Sequence, residues 1–97
     1  MINKKIIKIR KELDKLDDDF LKLIKKRVLL VNQVLKNKSY KKDIIDQKRI
    51  KLILKKINKK SRIKKIDPSI TRIIWQSMIR AFIKYEFKNF KKKNYLL

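Results

Sequence analysis

Six residues have the types and settings to do chemistry: Arg10, Arg27, Lys38, Asp46, Arg49 and Glu86. Four are cations with long reach, and two are carboxyls. The set contains no nucleophile–base pair and no metal cluster, so it does not resemble hydrolytic machinery. The chain has no His and no Cys. That removes the commonest general base, the commonest metal ligand, and any disulfide or thiolate metal site. What remains reads as a pocket for a small, multiply charged anion, walled by Ile and Leu. Catalysis there would come from orientation and electrostatic stabilisation, with no cofactor or metal.

These residues need a scaffold, and the apolar spacing supplies one. Ile6, Ile9, Leu13, Leu16, Phe20, Leu23, Leu30 and Val34 recur in steps of three and four, the stripe of a long helix from about Asn3 to Asn37. Such a helix is roughly 50 Å long at about 1.5 Å per residue. Asn3 suits its N-cap. Arg27 falls on the heptad line of Ile6, Leu13, Phe20 and Val34, where a guanidinium cannot shed its charge and needs an anion. Lys38 lies eleven residues further on, about 20° from Arg27 around the helix axis, so the helix aims both cations along one line of its buried face. Asp17, Asp18 and Asp19 point in different directions and read as a solvated face.

Residues 37–43 break the pattern. A second helix is expected from about Ile45 to Lys60, with Ile50, Ile53, Leu54 and Ile57 on its apolar face, Asp46 at its N-terminus and Arg49 one turn in. A connection over about Ser61 to Ile66 leads to Asp67-Pro68, a strong start for a third helix reaching about Lys91. One of its stripes is Ile70, Ile73, Ile74, Met78, Ala81 and Tyr85. The other, Trp75, Ile79, Phe82 and Phe90, includes Glu86, a carboxyl on an apolar line. The tail, 91–97, is basic and expected to fray. The fold class is all-α, with three helices in a single domain over residues 1–97. A helix of about 50 Å cannot bury its whole stripe against the rest of so short a chain, which argues for a homodimer sharing one core.

The net charge of +22 suits a polyanion, but lysines occupy nearly every solvent-facing position, as AT-rich codon bias would produce. Arginine is scarce, six against 25 lysines, so an Arg on a buried face suggests a need for forked donors. No apolar run approaches the length of a membrane span, and no cleavage signal follows the N-terminus, which points to the cytoplasm. Each candidate also has an ordinary reading. Arg10 can pair with Asp14 at i+4. Arg27 can snorkel to the core's edge. Lys38 is one lysine among many. Asp46 can be a cap with Arg49 as its ion-pair partner, and Glu86 can pair with a lysine across a dimer. A basic helical module that binds nucleic acid is the non-enzymatic alternative, but the cations of interest lie on or beside apolar stripes rather than opposite them. A coiled-coil adaptor would leave Arg27 and Glu86 unexplained.

The order of these residues resembles the all-helical, AroQ-class chorismate mutase family, over about Ile6 to Phe90. Ile-Arg-Lys-Glu-Leu-Asp-Lys-Leu-Asp at residues 9–17 is similar to the family's Arg-x-x-Ile-Asp-x-Ile-Asp opening. Arg27 matches its second arginine, Lys38 falls at the spacing of its lysine, and Asp46-Gln-Lys-Arg49 resembles its Asp-x-x-Arg signature. The stretch from Trp75 to Glu86 resembles its last helix. The resemblance implies an intertwined homodimer with two sites, rearranging chorismate to prephenate for phenylalanine and tyrosine synthesis. It implies that Arg10 enters the partner's site while Arg27, Lys38 and Arg49 serve their own. The arginines would hold the two carboxylates, Lys38 and Glu86 would reach the ether oxygen, and Asp46 would help bind the ring hydroxyl.

Three positions depart from the family's pattern. Ile50 stands where Glu is usual after Arg49, and Glu86 where many members have Gln. To donate to the ether oxygen Glu86 must be protonated, which burial among Ile79, Phe82 and Phe90 would favour. Phe82 stands where a Ser is expected, unless Ser77 fills that role. An apolar residue after the Arg also occurs in isochorismate-pyruvate lyase, a relative with the same fold and the alternative enzyme.

Overall fold

A computed structural model describes residues 3–91, and within them the chain is helical and contains no strand. The elements are α1 (Lys4–Lys36), a single 3-10 turn (Lys41–Ile44), α2 (Gln47–Ile63) and α3 (Pro68–Asn89). The chain divides after Gln33 into two compact units. Residues 92–97, most of the expected basic tail, lie outside the described residues.

The first unit is nearly all of α1. Asn3 caps it as expected: its Oδ1 accepts from the Ile6 amide at 2.9 Å and its carbonyl from the Ile7 amide at 3.2 Å. No Gly or Pro interrupts the helix, so its apolar positions stay in register over 33 residues. That stripe, from Ile6 to Val34, is between 40% and 60% exposed at every position where the sequence places it. Asp17, Asp18 and Asp19 are exposed as well.

The helix ends at Lys36, within a residue of the expected Asn37. The Asn37 amide bonds to the Val34 carbonyl at 3.0 Å and the Lys38 amide to the Leu35 carbonyl at 3.2 Å, i to i−3 bonds that tighten and stop the helix. Lys38 therefore lies past α1, and the expected alignment of Lys38 with Arg27 on one helical face does not hold. The 3-10 turn follows, with the Asp43 carboxylate accepting from the Tyr40 amide at 3.3 Å and the Asp43 amide returning a bond to the Tyr40 carbonyl at 3.0 Å. Ile44, only 3% exposed, is its buried anchor, and the turn packs against α3.

Two capped helices complete the second unit. Asp46 accepts from the Arg49 amide at 3.0 Å at the start of α2. Asp67 accepts from the Ser69 amide at 2.9 Å and the Ser69 hydroxyl at 2.8 Å at the start of α3, with Pro68 in the first turn. These two bonds from Ser69 hold the exposed Asp67 carboxyl below its ordinary pKa. α2 packs on α3, with Ile50, Ile53, Leu54 and Ile57 half-buried. Close approach is locked by two buried hydroxyls: Ser61 Oγ lies 2.7 Å from Thr71 Oγ1 and 2.6 Å from the Ile57 carbonyl. Ser61 thus belongs to α2 rather than to the expected connection.

The true connection is shorter, residues 64–67. It is a Schellman closure: the Ile66 amide bonds to the Ser61 carbonyl at 2.9 Å and the Lys65 amide to the Arg62 carbonyl at 3.2 Å. The residue that turns the chain there is Lys65, at φ 57°. A left-handed conformation costs a residue with a Cβ about 1 kcal/mol, and the chain has no Gly to use instead. Lys65→Gly should therefore raise stability by about 1 kcal/mol, read as a higher urea midpoint. A lowered midpoint would show that Lys65 is not strained.

Candidate active site

The second unit brings two of the six candidates into contact. Lys38 Nζ donates to Glu86 Oε1 at 3.0 Å, across 48 positions of sequence. Lys38 is carried by the segment between α1 and the 3-10 turn, and Glu86 by the last part of α3. Neither residue's local sequence dictates this meeting. It follows from the packing of the 3-10 turn on α3, where Ile44 is buried and Lys41 Nζ stands 6.0 Å from the Phe87 ring centre.

Glu86 is the buried acid, 8% exposed, as its place on an apolar line suggests. A buried carboxylate needs a charged or well-bonded partner, and Lys38 supplies one. Phe82, one turn earlier on α3, is half-buried and meets Tyr85 edge to face, ring centres 6.4 Å apart. Ser77 is exposed.

Asp46 and Arg49 stand together at the N-terminus of α2, joined through the Arg49 amide, and both side chains are exposed. The Asp46 cap was legible in the sequence; an ion pair between the two side chains does not form. Ile50, beside Arg49, is half-buried in the face that packs on α3. Arg10 and Arg27 belong to the first unit. Arg10 is exposed and Arg27 half-buried.

The arrangement offers cations on two elements, a buried acid joined to one of them, and apolar surroundings. It contains no group placed to attack or to carry protons in a chain. That is equipment for binding an anionic molecule and stabilising charge that shifts within it.

The model of the family described as chorismate mutase type II matches residues 9–87. The chain belongs to this family. The match spans all six candidates, from Arg10 to Glu86, and it carries isomerase activity as the chain's function. No curated protein and no solved structure matches the chain significantly. No helix among the described residues is long and apolar enough to cross a membrane. For a chorismate mutase the absence of His and Cys from the whole chain is no handicap, because the rearrangement needs neither.

The family resemblance sends Lys38 and Glu86 to one ether oxygen, and the structure shows the two in direct contact within one chain. Sequence reasoning missed Ile44, the peg of the 3-10 turn, because the adjacent pair Ile44 and Ile45 has no period to say which of the two is buried. Removing the Lys38 ammonium leaves a buried carboxylate unmatched. Lys38→Met should thus cost about 2 kcal/mol of stability, and Glu86→Gln, which still accepts from Lys38, clearly less. Urea unfolding at one fixed protein concentration measures both; equal losses would mean that the ion pair is not what matters.

Proposed function

We propose that the protein converts chorismate to prephenate, the step towards phenylalanine and tyrosine, at two sites of an intertwined homodimer. Residues 1–97 would act as one such domain. The observation that carries this reading is the meeting of Lys38 and Glu86 in a chain of this family. Two polar groups that converge on one point can converge on one substrate atom.

The reaction is a unimolecular Claisen rearrangement. One C–O bond breaks as one C–C bond forms, with no proton transfer, nucleophile or cofactor. The protein must fold the enolpyruvyl group over the ring and stabilise negative charge growing on the ether oxygen. Arg27 and Arg49 hold carboxylates, Asp46 helps to bind the ring hydroxyl, and Lys38 and Glu86 approach the ether oxygen. Each tenfold of rate requires about 1.4 kcal/mol. A lysine ammonium already desolvated and fixed can supply several such steps.

Helix geometry supports a shared site. Arg10 and Arg27 lie 17 residues apart on unbroken α1, roughly 25 Å along its axis. No small dianion spans that distance, so they serve different sites. A second chain running beside the first gives Arg10 a site to enter. The open stripe from Ile6 to Val34 gives the two chains a common surface. A charge placed on that stripe, as in Leu23→Lys, should shift the protein to monomer in sedimentation and abolish turnover together. A dimer that survives would remove this interface.

The test of the activity is loss of chorismate absorbance by purified protein, with products separated afterwards. Prephenate should form, and Arg27→Ala should slow its formation on the order of 10²–10³-fold. Salicylate and pyruvate from isochorismate, without prephenate from chorismate, would instead identify the lyase.

A further inference from the structure

The two ends of α3 carry different chemistry. Glu86 lies near one end; near the other is a pair of adjoining hollows of about 190 Å³ and 410 Å³ that share Asn58, Pro68 and Arg72 in their walls. Arg72 and Glu86 are 14 residues apart on one helix, roughly 21 Å. These hollows are thus separate from the Lys38–Glu86 contact.

Their walls come from one face of each helix. α2 presents Lys55, Asn58 and Arg62, spaced i, i+3 and i+7, and α3 presents Arg72 and Gln76, spaced i and i+4. The floor is apolar, with Ile57 and the Pro68 ring. Arginine is the rare cation in this chain, six against 25 lysines. Three of the six, Arg10, Arg27 and Arg49, are taken by the candidate active site. Of the other three, Arg62 and Arg72 line the same hollow. Neither has an ion-pair or hydrogen-bond partner among the described residues. The lone carboxylate in the wall, Asp67, is already bonded through Oδ1 to the Ser69 amide and hydroxyl.

We infer that the two adjoining hollows together form a second anion site, the one with Arg62 and Arg72 taking the oxyanion head of a small organic molecule and the one with Ile57 and Gln76 its apolar body. Two guanidiniums grip a carboxylate or a phosphate with forked donors, as a lysine pair does not. Asn58 and Gln76 offer donors and acceptors at the sides, and the floor of Ile57 and Pro68 covers the apolar body. The site depends neither on the proposed reaction nor on the residues assigned to it.

Calorimetric titration of the full chain with phenyl phosphate, phenylacetate and inorganic phosphate tests this. One aryl anion should bind per chain, at least tenfold more tightly than inorganic phosphate. A tighter phenyl phosphate would assign the head as a phosphate ester, a tighter phenylacetate as a carboxylate. Arg62→Ala and Arg72→Ala should each weaken binding at least tenfold. Arg72→Lys, which keeps the charge and loses the fork, should recover only part of it. Arg27→Ala should bind the probe as the wild type does, and Arg72→Ala should turn over chorismate as the wild type does when no probe is present. No saturable binding at millimolar probe would overturn the site. So would binding unaffected by both alanine variants, or inorganic phosphate binding as tightly as the aryl anions, since either describes diffuse surface charge.

Discussion

A carboxylate cannot stay buried on an apolar helix face without a cation, and the contact between Lys38 and Glu86 meets that constraint. Much of the second unit follows from it. α1 must stop at Lys36 so that the next residues can turn towards α3. The 3-10 turn must seat Ile44 to hold them there. α3 must present Glu86 at the level of that turn. A helix that ran on through Lys38 would carry the ammonium away, and Glu86 would be left with a desolvation penalty and nothing to offset it.

In the proposed site the same contact would explain how so plain an inventory can be catalytic. The chain has no His and no Cys and offers mainly lysines. A solvated lysine stabilises little, because water screens it and must be stripped away first. Lys38 is only 19% exposed in its side chain and already fixed by Glu86. In the proposed reaction its desolvation and orientation would already have been met during folding. Arg10 and Arg27 add the constraint of length. On a straight helix they are too far apart for one ligand, which is why the proposed site is shared between two chains.

The sequence reveals most where periodicity or capping chemistry is strong. The three helices, the Asn3, Asp46 and Asp67 caps and the Pro68 start all read directly from residue types, and the structure places them there. Glu86 was marked by an acid on an apolar line, and it is buried. The end of α1 also reads to within a residue, because the apolar pattern breaks at Asn37, where two i to i−3 bonds stop the helix. What periodicity misses is the end of α2. The end of α2 lies beyond Ser61 because its hydroxyl is satisfied by Ile57 and Thr71, and because Lys65 takes the left-handed turn that a Gly would normally mark. The contact of Lys38 with Glu86 joins residues 48 positions apart, and only the packing of two elements shows it.

In the proposed active site two chains contribute side chains, with Arg10 of each serving the other. Subunit mixing measures this directly. Arg10→Ala and Lys38→Ala proteins are each made alone, then co-expressed with different tags so that the mixed dimer can be purified. Each parent should be inactive, with both of its sites damaged. In the mixed dimer one site carries both substitutions and the other carries neither, so about half the wild-type activity should return. A mixed dimer as inactive as its parents would contradict the shared site, and Arg10 would then belong with Lys38 in its own chain.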